Sequence, residues 1–123
     1  MTQEQKQLLI KDLCSRLLYE TWVKYEGKEW LVTGYGHGRV SLLPSVFSSI
    51  GGPCPLVEEV SPYLRSMSSM TEEEENEYRA INCYEGLFPS NEEALDYVLE
   101  HHFDFRGLIE KGPAIEAPEG MYK

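Results

Sequence analysis

The chain has 123 residues, 41% of them hydrophobic and 11% aromatic, with a formal net charge of −10. That length suits one domain with a core of its own, and the aromatic content argues against a disordered chain. The negative balance disfavours generic binding to nucleic acid or to an anionic membrane surface, because both present negative charge.

Taken in order, Thr2 and Gln5 have the spacing of a capping box ahead of Leu8, Leu9, Leu13, Cys14, Leu17 and Leu18. Leu9, Leu13 and Leu17 recur at intervals of four, as do Cys14 and Leu18, so an amphipathic helix is expected over about residues 3–18. Three short runs follow: Thr21–Tyr25, Glu29–Thr33 and Arg39–Leu43. Glu26-Gly27-Lys28 and Gly34-Tyr35-Gly36-His37-Gly38 separate them, which predicts two tight hairpins and an antiparallel meander. Trp22 and Trp30 supply apolar area to its faces. From Pro44 to Pro55 the composition turns to Ser, Gly and Pro, which reads as a long loop, with Val46, Phe47 and Ile50 within it. Leu56–Val60 reads as a further strand that Pro62 ends.

A seam lies near residue 70. Thr71 and Glu74 form a second capping box, and the run Glu72–Glu75 sits where a helix dipole favours anions. A helix is expected from there to Ala80 or Ile81, thin in apolar residues, exposed and partly frayed, with a Glu75–Arg79 pair. Ser90 and Glu93 suggest a third box, leading into Ala94–His102 with Leu95, Val98, Leu99 and His102 on one face. Asp104 is placed to cap a last short helix from Phe105 to Lys111, stopped by Gly112 and Pro113, after which the tail 114–123 is extended. Residues 1–70 hold seven acids and seven bases, whereas residues 71–123 hold fourteen acids and four bases, so the whole excess belongs to the second half. The fold class expected is α+β: an N-terminal helix, a small antiparallel sheet curled toward an SH3-like barrel, then short C-terminal helices. Residues 1–70 and 71–123 form its two parts, within a single domain.

The chemistry-bearing residues are few. Cys14, Cys54 and Cys83 are far apart and in no CxxC arrangement, which suits a reducing compartment and offers neither a disulfide framework nor a zinc site. There is no signal-peptide h-region and no apolar run of bilayer length, so a cytoplasmic protein is expected. His101, His102 and Asp104 are the one cluster with metal-ligand side chains, but adjacent helical residues point about 100° apart, and His102 reads better as a core histidine. Cys83 and His37 lack any catalytic signature around them, and the glycines at 34, 36 and 38 lack the Lys-Ser/Thr pair of a phosphate loop. Four consecutive glutamates radiate around a helix axis, so capping accounts for Glu72–Glu75 better than calcium does. Arg106 is expected to pair with a carboxylate elsewhere and lock the last helix to the rest. No catalytic, cofactor-binding or metal-binding set emerges.

Four segments carry a resemblance: Leu8–Leu17, Pro62–Glu74, His101–Ile109 and Glu116–Lys123. Together, over about 40 positions, they resemble a family of small proteins of Bacteroides-type gut bacteria, often found in phage or prophage regions, for which no activity is established. The resemblance implies a bacterial or phage setting and carries no functional residues with it. The function expected is a non-enzymatic protein-interaction module whose acidic half meets a partner with a basic surface. The alternatives are an acidic nucleic-acid mimic that inhibits a DNA-binding protein, and a hydrolase or metal enzyme built on Cys83 or the histidines.

Overall fold

The structure, a computed structural model, describes residues 1–44, 52–83 and 86–122. Its elements are α1 (Gln3–Ser15), β1 (Trp22–Tyr25), β2 (Lys28–Gly36), β3 (Arg39–Leu43), β4 (Ser61–Leu64), α2 (Glu72–Ile81), α3 (Glu92–Glu100), α4 (Leu108–Lys111) and β5 (Ile115–Glu116). The class is α+β, with the helix at the N-terminus as expected.

Helix α1 opens on the Thr2–Gln5 box, with both reciprocal hydrogen bonds formed. It stops at Ser15, three residues short of the expected end. Arg16 is the C-cap residue, its side chain buried against Asp12, and Leu18 is left 90% exposed instead of continuing the apolar face. The meander follows the alternation in the sequence: β1 pairs antiparallel with β2, and β2 with β3. Its turns are two-residue, with both central residues at positive φ: Glu26 and Gly27, then His37 and Gly38. Gly34 and Gly36 therefore lie inside β2 rather than in the turn, and the register shifts between Val32 and Gly34.

The sheet is open and mixed, in the order β3-β2-β1-β4-β5, so it is neither fully antiparallel nor closed into an SH3-like barrel. The reason lies at residues 53–59. Pro53 and Pro55 give carbonyls to the Leu42 and Val40 amides on the free edge of β3, but a proline has no N–H to return. Gly52 must approach this edge closely, since a Cβ there would lie 2.2 Å from the Leu42 carbonyl oxygen. The chain then turns through a 3-10 stretch at Val57–Glu59 where a strand was expected. The strand comes later, at β4, and contains Pro62. It pairs antiparallel with β1 and parallel with β5. Of the expected loop from Pro44 to Pro55, residues 45–51, including Val46, Phe47 and Ile50, lie outside the described residues.

One core cluster joins α1 to the sheet through Leu9, Leu13, Val23, Val32, Val40, Leu42, Val57 and Val60. Burying each such side chain is worth about 1.5–3 kcal/mol. A second cluster holds α2 to α3 through Tyr78, Ala94, Val98 and Phe103. Leu64, Leu108 and Ala114 join β4 to α4 and the tail. Helix α2 begins on the Thr71–Glu74 box and is helical through Ile81; it is anchored by Tyr78, which is buried and whose hydroxyl donates to the Leu87 carbonyl. Helix α3 is capped by Asn91 rather than by Ser90. Ser90 instead bonds Asn82, which ties the loop between the two helices. Asp104 caps the last helix as expected, accepting from the Leu108 and Ile109 amides, but that helix starts at Leu108 because Gly107 takes a left-handed φ.

Candidate functional site

The residues singled out by chemistry do not come together. Both Asp104 oxygens are occupied by backbone amides. His101 bonds the Tyr97 carbonyl through Nδ1 and stacks on the Tyr97 ring at 4.1 Å. His102 is 8% exposed, adopts φ +62°, and stacks on Tyr122 at 3.7 Å. Burial, helped by the nearby Arg16, holds its imidazole down to about 4, so it is neutral at physiological pH. Among the described residues no group of three His, Cys, Asp or Glu is placed to hold a metal ion. Cys83 is exposed and takes a contact from the Asn91 amide, while His37 stands at the tip of the β2–β3 hairpin. Glu72 and Glu73 are exposed, Glu75 pairs with Arg79, and Glu74 turns inward.

Glu74 leads to the part of the molecule where charge is organised. Its carboxylate accepts both Arg65 Nη groups, at 2.8 and 2.7 Å, and the Thr71 amide. The bidentate Arg65 contact is the main reason its carboxyl lies at about 2. Arg65 also stacks over the Phe103 ring, 4.3 Å from its centroid, while its backbone bonds both His102 and Asp104. The segment 101–106 is thus pinned against the end of β4. On the other side of that segment, Asp12 and Arg16 have fully buried side chains and bond each other at 2.8 Å. Arg106 reaches the same Asp12 carboxylate at 2.6 Å, and Arg16 donates to the Phe103 carbonyl. Arg106 therefore does lock the start of α4 to α1, as the sequence suggests.

The C-terminal tail closes this region. After β5, the Ala117 amide donates to the Leu64 carbonyl, and the tail returns so that Tyr122 is inserted beside β1. The Tyr122 hydroxyl donates to the Tyr63 carbonyl at 2.7 Å and accepts from the Trp22 amide at 2.9 Å. Burial pushes this phenol well above its ordinary value. Two hollows flank Arg65 and Tyr122. The larger, of about 540 Å³, lies between Thr71, Glu74, Glu116, Pro118 and Glu119. The smaller, of about 160 Å³, is lined by Glu20, Trp22, Glu100, His101, His102 and Met121 in addition to Arg65 and Tyr122. Neither is lined by Cys83 or His37.

Beyond the hollows, α2 and α3 turn Glu72, Glu73, Glu77, Glu92, Glu93, Asp96 and Glu100 to solvent. Leu87 and Phe88, in the connection between these helices, are exposed large apolar side chains. Seven of the fourteen acids in residues 71–123 thus stand on the outer surface of α2 and α3. Sequence reasoning passed over Arg65, Tyr122, Trp22 and Glu20 as a group, because the contacts that join them span up to 100 positions. The one available signal was an arginine and a tyrosine inside phrases too specific to be filler.

Fold and site together define an α+β domain with an open mixed sheet and an acidic helical layer. Compared with protein-family models, curated proteins and solved structures, the chain matches none. No helix among the described residues is long and apolar enough to cross a membrane.

Proposed function

We propose that the chain is a non-enzymatic protein-interaction module, bacterial or prophage in origin, whose acidic helical layer docks on a partner with a basic surface. The observation that carries this reading is the row of exposed carboxylates on α2 and α3, with Leu87 and Phe88 exposed in the connection between these helices. Peripheral charge speeds encounter and selects the sign of the partner, and a desolvated aromatic or aliphatic anchor supplies affinity. The resemblance of the seam and of both ends to gut-bacterial and prophage-borne proteins supports the setting.

The test is co-purification of the full chain at low and at high salt, repeated with Glu72→Lys, Glu73→Lys and Glu77→Lys combined. Glu74 is left intact because it is tied to Arg65. A basic partner retained by the parent at low salt, released at high salt and absent from the charge-reversed variant supports the reading. Partners indifferent to both salt and charge reversal overturn it. A DNA-binding enzyme that DNA displaces from the chain would favour the nucleic-acid mimic instead.

A further inference from the structure

The smaller hollow beside Tyr122 has a composition of its own. Trp22 and Tyr122 form aromatic walls, and Glu20 and Glu100 stand exposed at its rim. Neither glutamate belongs to an ion pair among the described residues. The one cation lining the hollow, Arg65, has both Nη groups committed to Glu74. His102 lines the hollow with an imidazole that is over nine-tenths buried, and its Nδ1 is enclosed without a hydrogen-bond partner. The recess is thus aromatic in its lining and edged with two unpaired carboxylates.

We infer that this hollow is a socket for the ammonium end of a lysine side chain presented by the basic partner. The inference rests on the interaction reading above and names the group the partner inserts. An ammonium brings three donors and no acceptor, which suits a recess edged by acceptors. Its methylene stem packs against the aromatic lining while the charge meets the carboxylates at the rim. A volume of about 160 Å³ admits the end of one such side chain and little more. An anionic group would face Glu20 and Glu100 with no uncommitted cation to offset them.

The probe is a short capped Gly-Lys-Gly peptide, titrated into the full ¹⁵N-labelled chain, with its Nε-acetyl-lysine counterpart as control. Saturable shifts at the Trp22 indole N–H, absent with the acetylated peptide, are expected. Glu20→Gln and Glu100→Gln should each weaken the response by about two- to fivefold. Both positions are exposed, and the same spectra report whether each variant is folded. No saturable shift, or equal shifts from the two peptides, overturns the socket. Should charge reversal on α2 release the basic partner while the lysine peptide leaves Trp22 unmoved, the socket fails and the interaction module stands. Should the peptide bind while salt and charge reversal leave the partner in place, the module reading fails alone.

Discussion

The sheet half and the helical half are held by different means. Around the sheet, an aliphatic cluster is backed by ladders in which backbone pairs with backbone over three consecutive strands. The helical half has three short helices and an aromatic cluster, and its connections are satisfied by single side chains. Asn82 bonds the Gly86 and Phe88 carbonyls, Tyr78 the Leu87 carbonyl, and Asp104 two amides of the next helix. Where short elements leave backbone groups unpaired, buried polar side chains take them up, because orphaned groups are costly. A ladder distributes its stabilisation over many bonds, whereas such a side chain concentrates it in one residue.

Substitutions can break or sharpen this contrast. The largest effect is expected at the junction of the halves, where the Asp12 carboxylate faces Arg16 and Arg106. Removing one partner of a buried pair leaves uncompensated charge, so Asp12→Ala should cost about 3–5 kcal/mol in urea unfolding. Tyr122→Phe keeps the ring on His102 but strands the Tyr63 carbonyl and the Trp22 amide. The expected loss is about 1–3 kcal/mol, read from the denaturation midpoint at unchanged slope.

Glu74→Gln comes next and is tested by pH. Because Arg65 holds Glu74 down to about 2, the carboxylate adds stability above its ordinary, unfolded value and loses that contribution as pH falls through about 2. With allowance for solvent screening at this partly open site, the variant should lose about 1–2 kcal/mol at neutral pH. Parent and variant should converge between about pH 5 and pH 2; a gap that persists at the acid end refutes the assignment. Leu18→Ser should be smallest, within about 0.5 kcal/mol, since its side chain contributes exposed surface and no packing. A larger loss there would mean that the apolar face of α1 continues beyond Ser15 after all.

Legibility in the sequence followed the same division. The meander could be read because strand alternation and glycine-marked turns are local signals, as were the boxes at Thr2 and Thr71, although the second turn, read as residues 34–38, narrows to His37 and Gly38. Ser90 misled because its spacing to Glu93 copies a capping box, while Asn91 could serve the helix and free Ser90 for Asn82. The strand expected at Leu56–Val60 was displaced because Pro53 and Pro55 cannot complete a ladder with β3. Pro62 was read as a terminator, yet β4 needs only the two pairings Val23↔Pro62 and Lys24↔Ser61 with β1. The hollows beside Arg65 were illegible, since Tyr122 and Trp22 carry no periodic pattern that links them. Arg106 was the exception: its charge and its place after a cap foretold a distant carboxylate.

The parallel pairing of Tyr63 with Ile115 has a kinetic corollary. Hairpins close over a few residues, whereas this pairing brings together positions 52 apart and incurs the entropy of a long loop. The meander should thus assemble early and the tail should zip on last, after the rate-limiting barrier. Lesions in the tail would then shorten the lifetime of the native state by hastening escape from it, with the speed of refolding almost untouched.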